Sequence, residues 1–302
     1  MRHIDEVQSG SNWPDAVPRV WETFLDTPTL GGASVDPAVV LVPVPYDSTT
    51  SFKPGARDGP RALINASKHL EDYDLELERD ISRVGIATTT AIEPDVDSPV
   101  QMFSRVQKVV EHFASQDKLV GLLGGEHSIT IGAVNAQISR YPELSILYLD
   151  AHADMRNEYM GSRWSHACVA RRLSEQASLV EVGVRSISES EKHYVDAQQL
   201  PVVYWPNTDL PSVVSEVVGK LSHDVYISID LDVLDPSIMA AVGTPEPGGM
   251  VWDEVTDLLK QVALSKNVVG FDVVELSPNE GPEACSFTAA KLVYKLIGYA
   301  TS

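Results

Sequence analysis

Cysteine is nearly absent. Cys168 and Cys285 are the whole complement and form no metal or redox spacing. A disulfide framework is therefore excluded, and a reducing cytoplasm is the simplest compartment. The opening segment MRHIDEVQSGSNWPDAVPRV lacks the apolar centre of a signal peptide. No run approaches the roughly 20 apolar residues that a membrane helix needs. Basic residues are also in short supply, 23 against 43 acidic ones, for a formal net charge of −20. That balance argues against nucleic acid, whose phosphates require basic surfaces. It suits a cationic small molecule, although acidity by itself also serves solubility. The expectation is a soluble cytoplasmic protein with neither a nucleic-acid nor a membrane partner.

Apolar runs of strand length are plentiful. They fall at 38–46 (AVVLVPVPY), 81–87 (ISRVGIA), 118–125 (KLVGLLGG) and 144–150 (LSILYLD). Four more follow at 178–186 (SLVEVGVRS), 201–205 (PVVYW), 224–234 (DVYISIDLDVL) and 267–276 (NVVGFDVVEL). Several are apolar on both faces, as in a parallel sheet covered on each side. Helical patterns lie between many of them. PRALINASKHLEDYD carries Pro60 at a position suited to the first helical turn. SPVQMFSRVQKVVEHFASQ begins with Ser98 as its cap, and DEVTDLLKQVALS and TAAKLVYKLIGYA share the helical spacing. The pattern predicts an α/β fold: a single three-layer domain with a mostly parallel, about eight-stranded sheet. No repeat or linker divides it. The expected organisation is one domain over 1–302, with an N-terminal extension at 1–37 and a catalytic core at 38–302.

The strand ends carry unusual groups, and in such sheets ligands gather at the carboxyl ends. LLGGEHS supplies Glu126 and His127; LYLDAHAD supplies Asp150, His152 and Asp154. YISIDLDVLDP supplies Asp230 and Asp232, with Asp235 beyond, and GFDVVELSP supplies Asp272 and Glu275. Strands seldom choose Asp, so a half-buried surface strand is a poor account of DAHAD. Two histidines and four aspartates converging there would repel unless neutralised, and no matching cluster of Lys or Arg accompanies them. Metal ions are the economical answer. Carboxylate and imidazole donors suit ions such as Mn²⁺, and the lack of Cys ligands argues against structural zinc. On a straight strand Asp150 and Asp154 would lie about 13 Å apart. Paired catalytic metals sit only about 3.5–4 Å apart. The strand must therefore end near Asp150 and coil back to Asp154, whereas Asp230 and Asp232, about 6.6 Å apart on a strand, need no such bend.

GGEHS, DAHAD and DLDVLDP together resemble the metal-binding signatures of the ureohydrolases, the arginase and agmatinase family. PVPYDSTTSFKPGARDGPRAL, GTPEPGG and GFDVVELSP look like further segments of it, so the resemblance runs from about Val39 to Ala300. It implies an arginase-like fold with two Mn²⁺ per chain. His127, Asp150, Asp154 and Asp230 would hold one ion; Asp150, His152, Asp230 and Asp232 would hold the other. A hydroxide between the ions would attack the guanidinium carbon, with Asp154 orienting it. Glu275 matches the carboxylate that grips the guanidinium, and His166 in WSHACVARRL matches the proton-shuttle histidine. Glu126 faces away from the ligands and suits a supporting role. The family further implies a homo-oligomer, trimer or hexamer.

The segment GSRWSHAC lacks the Asn-rich loop by which arginase-type members hold an amino acid, and SHA resembles the agmatinase branch. The implied reaction converts agmatine to putrescine and urea, a step of polyamine biosynthesis. N1-aminopropylagmatine and guanidinobutyrate are the alternatives, because NEGPEACSF departs from the usual agmatinase segment beside the substrate's tail. Trp164, Glu280 and Glu283 are the candidates for that tail. A single-zinc deacetylase relative and a non-catalytic family member are the rival classes; the full ligand set disfavours both.

Overall fold

The computed structural model describes residues 22–26, 36–207 and 209–302. Most of the expected extension over 1–37 lies outside the described residues.

Eight strands form one wholly parallel sheet. In chain order they are β1 (Val39–Val44), β4 (Ile86–Thr88), β5 (Leu119–Gly124), β6 (Ser145–Leu149), β7 (Ser178–Val184), β8 (Val202–Tyr204), β9 (Asp224–Asp230) and β10 (Asn267–Val274). Their spatial order is β4-β1-β5-β10-β9-β6-β7-β8. Each of the eight apolar runs contributes one strand. A separate hairpin, β2 (Tyr73–Asp74) against β3 (Arg79–Asp80), is antiparallel.

The sheet is covered on both faces, which is why its strands lack polar alternation. Val39 and Leu41 enter one apolar core and Val40, Val42 and Val44 the other, as the two-residue period requires. Helices α1 (Gly59–Ser67), α6 (Leu210–Lys220), α7 (Trp252–Ser265) and α8 (Ala284–Ala300) pack beside the first core. Helices α2 (Pro99–Ala114), α3 (Thr130–Ile138), α4 (Val169–Ser174) and α5 (Glu189–Gln198) serve the second. Gly121 in β5 sits opposite Phe271 in β10, where an added Cβ would lie 2.3 Å from the ring. The ring of Phe271 fills the space that a side chain there would occupy.

Several boundaries differ from the sequence expectation. The run at 81–87 is mostly a 3-10 turn, Ile81–Val84, closed by Gly85 at φ 78°, so β4 begins only at Ile86. Ile81 is apolar because it is buried in the core, not because it belongs to a strand. The helix expected over 60–74 stops at Ser67, and Tyr73–Asp74 turns into the hairpin. Ser98 precedes α2 in extended conformation, but its side chain makes no capping hydrogen bond.

Candidate active site

The spatial order explains how distant motifs meet. β5, β10, β9 and β6 are consecutive neighbours at the centre of the sheet. Their carboxyl ends lead directly to His127, Glu275, Asp230 and Asp150. A cavity of about 330 Å³ opens there, lined by these residues and by Asp154, His152, Asp232 and His166. It is sized for a small molecule.

β6 ends at Leu149, and the chain then runs beside the end of β7, Arg185 N–H donating to Ala151 O and Ala153 N–H to Ser186 O. At Asp154 the backbone turns into the left-handed region, φ 47°. That bend brings Asp154 back: its Oδ2 accepts the Tyr148 hydroxyl at 2.9 Å. Donor atoms of His127, Asp150 and Asp154 all lie within 4.8 Å of one another, and so do those of Asp150, His152 and Asp232. Asp150 belongs to both groups. Asp230 lies beside the first, its Oδ2 3.2 Å from Nδ1 of His127.

Asp230 and Asp232 do not alternate along a strand as expected. β9 ends at Asp230 and a 3-10 turn follows over Leu231–Val233, with Asp230 Oδ1 accepting Asp232 N–H at 2.8 Å. The turn swings Asp232 toward His152, whose Nδ1 is 2.9 Å from its Oδ2.

The ring of His127 is fixed by its neighbours. Ser228 donates its hydroxyl hydrogen to Asp272 Oδ1 at 2.6 Å, and so can only accept the Nε2–H of His127 at 2.8 Å. Nδ1 is thereby turned toward Asp150 and Asp230, the arrangement in which a histidine ligand is held for a metal. Asp272 and Ser228 are fully buried, and the support they give explains two strand residues that carry no ligand role.

The electrostatics call for positive charge. Burial, with the charge of Asp150 beside it, pushes the Asp154 carboxyl well above the usual carboxylate range. Burial together with Asp232 and Asp150 does the same to Asp230. Burial works against protonation of His127, yet the carboxylates of Asp150 and Asp230 against its ring raise its pKa well above normal. Asp150 Oδ2 is buried without a hydrogen bond, although it sits 3.0 Å from His127 Nδ1. Among the described residues the ion pairs of these four carboxylates are to histidines, not to Lys or Arg. Arg185, close by, points its guanidinium at the carbonyls of Asp232, Leu234 and Glu246 instead. This donor set fits divalent cations.

Glu275 is held at φ 66°, and its Oε1 accepts His127 N–H at 2.7 Å. Burial and the nearby charge of Glu126 raise its pKa. His166 lines the cavity; burial lowers its pKa to about 4. Glu126 is fully buried and accepts from Thr49 and Ser128, which anchors the loop after β1.

The expected tail residues stand just outside the cavity lining. Trp164, Glu280 and Glu283 are not among the cavity residues. Trp164 packs edge-on against Phe103 with ring centroids 6.0 Å apart, and Glu280 is ion-paired with Lys53. Thr50, Ser51, Lys53, Arg156, Tyr159 and Glu191 line the wall instead. Arg156 lies over the Tyr159 ring at 4.8 Å and 3.8 Å from Glu191 Oε2. Arg156 and Tyr159 follow DAHAD within five residues of Asp154, a proximity the sequence displayed and that carried no inference by itself.

A parallel α/β sheet with an acidic and imidazole cluster at its central carboxyl ends defines a class of candidate metal-dependent hydrolases. The chain belongs to the arginase family, which it matches over residues 37–298. It is 42% identical over 268 residues to the N(1)-aminopropylagmatine ureohydrolase of Thermus thermophilus, covering 86% of this chain and 89% of that one. It is 36% identical over 280 residues to the agmatinase of Pyrococcus horikoshii, covering 91% and 95%. The agmatine ureohydrolase structure from Thermoplasma volcanium superimposes with a TM-score of 0.82 at 33% identity, covering 88% of this chain and 90% of that one.

Proposed function

We propose that the protein is an agmatinase-type ureohydrolase that adds water to the guanidinium carbon of agmatine and releases urea and putrescine. The observation that carries this reading is the meeting of His127, Asp150, His152, Asp154, Asp230, Asp232 and Glu275 in one cavity of an arginase-family chain. N1-aminopropylagmatine is the second reading, supported by the 42% identity to a relative named for that substrate.

His127, Asp150, Asp154 and Asp230 would hold one Mn²⁺, and Asp150, His152, Asp230 and Asp232 the other. Such a pair supplies water activated for attack at neutral pH. The remaining work falls to side chains. Glu275, aimed by its hydrogen bond from His127 N–H, would receive two N–H groups of the guanidinium. Arrival of that cation restores its ionised form, because an opposite charge lowers a carboxyl pKa. Asp154 would accept a hydrogen bond from the attacking water and so orient it. With its pKa near 4, His166 is neutral at pH 7 and would take up a proton lost by the attacking water before delivering it to the departing amine nitrogen. The wall offers the cations Lys53 and Arg156 beside the acid Glu191, and Glu280 is ion-paired to Lys53 at its edge, so an amine tail would meet Glu191 or, on displacing Lys53, Glu280.

The reading also takes 38–302 as a single catalytic core, assembled into a cytoplasmic homo-oligomer. The described residues contain no helix long and apolar enough to cross a membrane. Urea release from the Mn²⁺-loaded protein against agmatine, N1-aminopropylagmatine, arginine and 4-guanidinobutyrate tests the function. A clear preference for either amine-ended substrate supports the agmatinase type and decides its tail. Preference for a carboxylate-bearing substrate overturns the substrate assignment, and no urea from any overturns the chemistry.

A further inference from the structure

His166 can work only if one particular ring nitrogen is free to accept a proton, and three hydroxyls surround its ring. Thr49 Oγ1 lies 3.4 Å from Nδ1, Ser165 Oγ 3.3 Å from Nδ1, and Ser51 Oγ 3.3 Å from Nε2. Either serine can donate or accept, so neither decides the tautomer. Thr49 is different. It donates its single hydroxyl hydrogen to Glu126 Oε1 at 2.7 Å, while its backbone N–H donates to Oε2 at 2.6 Å. The same Oγ1 accepts the backbone N–H of His166 at 2.9 Å. With its hydrogen committed to Glu126, Oγ1 presents only lone pairs to the imidazole.

The geometry points to Thr49 as a positioning residue, oriented by the buried Glu126, that holds His166 in its Nδ1–H tautomer and turns the Nε2 lone pair toward Ser51 and the cavity. Glu126, Thr49 and His166 thus repeat the logic of Asp272, Ser228 and His127: a buried carboxylate fixes a hydroxyl, and the hydroxyl fixes an imidazole. In one case the free nitrogen faces the metal cluster, in the other the substrate cavity.

The role in turnover rests on the hydrolase reading above; the tautomer does not. It is read from the ¹⁵N shifts of His166 in the full-length chain loaded with a diamagnetic divalent ion, assigned against His166→Ala. The wild type should show a protonated Nδ1 and an unprotonated Nε2. Thr49→Val, which keeps the volume and the Thr49 N–H bond to Glu126 but removes the hydroxyl and with it the acceptor of His166 N–H, should shift the ring toward a mixture. Its kcat should fall about 10- to 100-fold with KM little changed, a portion of the roughly 100- to 10,000-fold that positioned acid–base groups supply. Thr49→Ser keeps the hydroxyl and should restore both shifts and kcat. A wild-type ring protonated on Nε2 overturns the proposal, and so does a Thr49→Val ring identical to the wild type. If the wild type releases no urea, the hydrolase reading falls while the ¹⁵N shifts still decide the tautomer.

Discussion

Tyr148 offers the sharpest perturbation of the candidate metal site that leaves every ligand in place. Its side chain is fully buried, and its hydroxyl donates to Asp154 Oδ2 at 2.9 Å. The ring stacks on His127 with centroids 4.4 Å apart and planes within 1°. Tyr148→Phe keeps that stack and the packing volume and deletes only the hydroxyl. A hydrogen bond to an ionised group contributes about 1.5–3 kcal/mol. With about 1.4 kcal/mol per tenfold change in affinity, the variant should bind Mn²⁺ about 10- to 100-fold more weakly, the usual loss when a ligand's supporting partner is removed. Equilibrium titration with Mn²⁺ measures this directly, and a thermal melt checks that the fold survives. Turnover should recover as Mn²⁺ is raised to saturation. An unchanged affinity would refute the idea that Tyr148 orients Asp154 for a metal.

Asp154→Ala should abolish urea release while the far-ultraviolet circular dichroism spectrum stays that of the wild type; unimpaired turnover would remove Asp154 from the site. Glu275→Gln should raise KM for guanidinium substrates by about 10-fold or more, since it replaces a charge-assisted bidentate pair with a neutral one, and steady-state kinetics across substrate concentration reads it. Acid sensitivity should trace partly to Glu76. Burial would raise its pKa, but hydrogen bonds from Lys260, Lys295 and Tyr299 prevail and lower it from 4.5 to about 2. The folded-state pKa is depressed, so its stabilising share is present above about pH 4.5 and is lost as pH falls toward 2. Glu76 is partly exposed, which trims the effect. Glu76→Gln should therefore lose more stability at pH 7 than at pH 3, where the share is only partly present, as read from urea-denaturation midpoints; an equal loss at both values would contradict it.

The central strands were legible because burial on both faces leaves an apolar run with no polar alternation, as in β5 and β10. The same signal misleads at 81–87, where Ile81 is apolar for packing and Gly85 breaks the backbone. The bend after Asp150 could be argued from distance alone, and the left-handed Asp154 supplies it. The turn at Leu231–Val233 was hidden, since alternating aspartates look identical on a strand and on a 3-10 turn. Trp164, Glu280 and Glu283 stand outside the cavity lining, and nothing local in the sequence reveals which wall of a cavity a loop faces. Thr49 was invisible for a related reason: it stands 77 residues from Glu126 and 117 from His166, and only the fold brings them together.

The proposed chemistry requires the cavity to hold two divalent ions. Counting Mn²⁺ bound per chain at equilibrium, on protein first stripped with chelator, tests it most directly. The account predicts two ions per wild-type chain, with Asp150 variants weakened at both sites because Asp150 belongs to both donor groups. One ion per chain at saturation, or loss of a single site on Asp150 substitution, would contradict it.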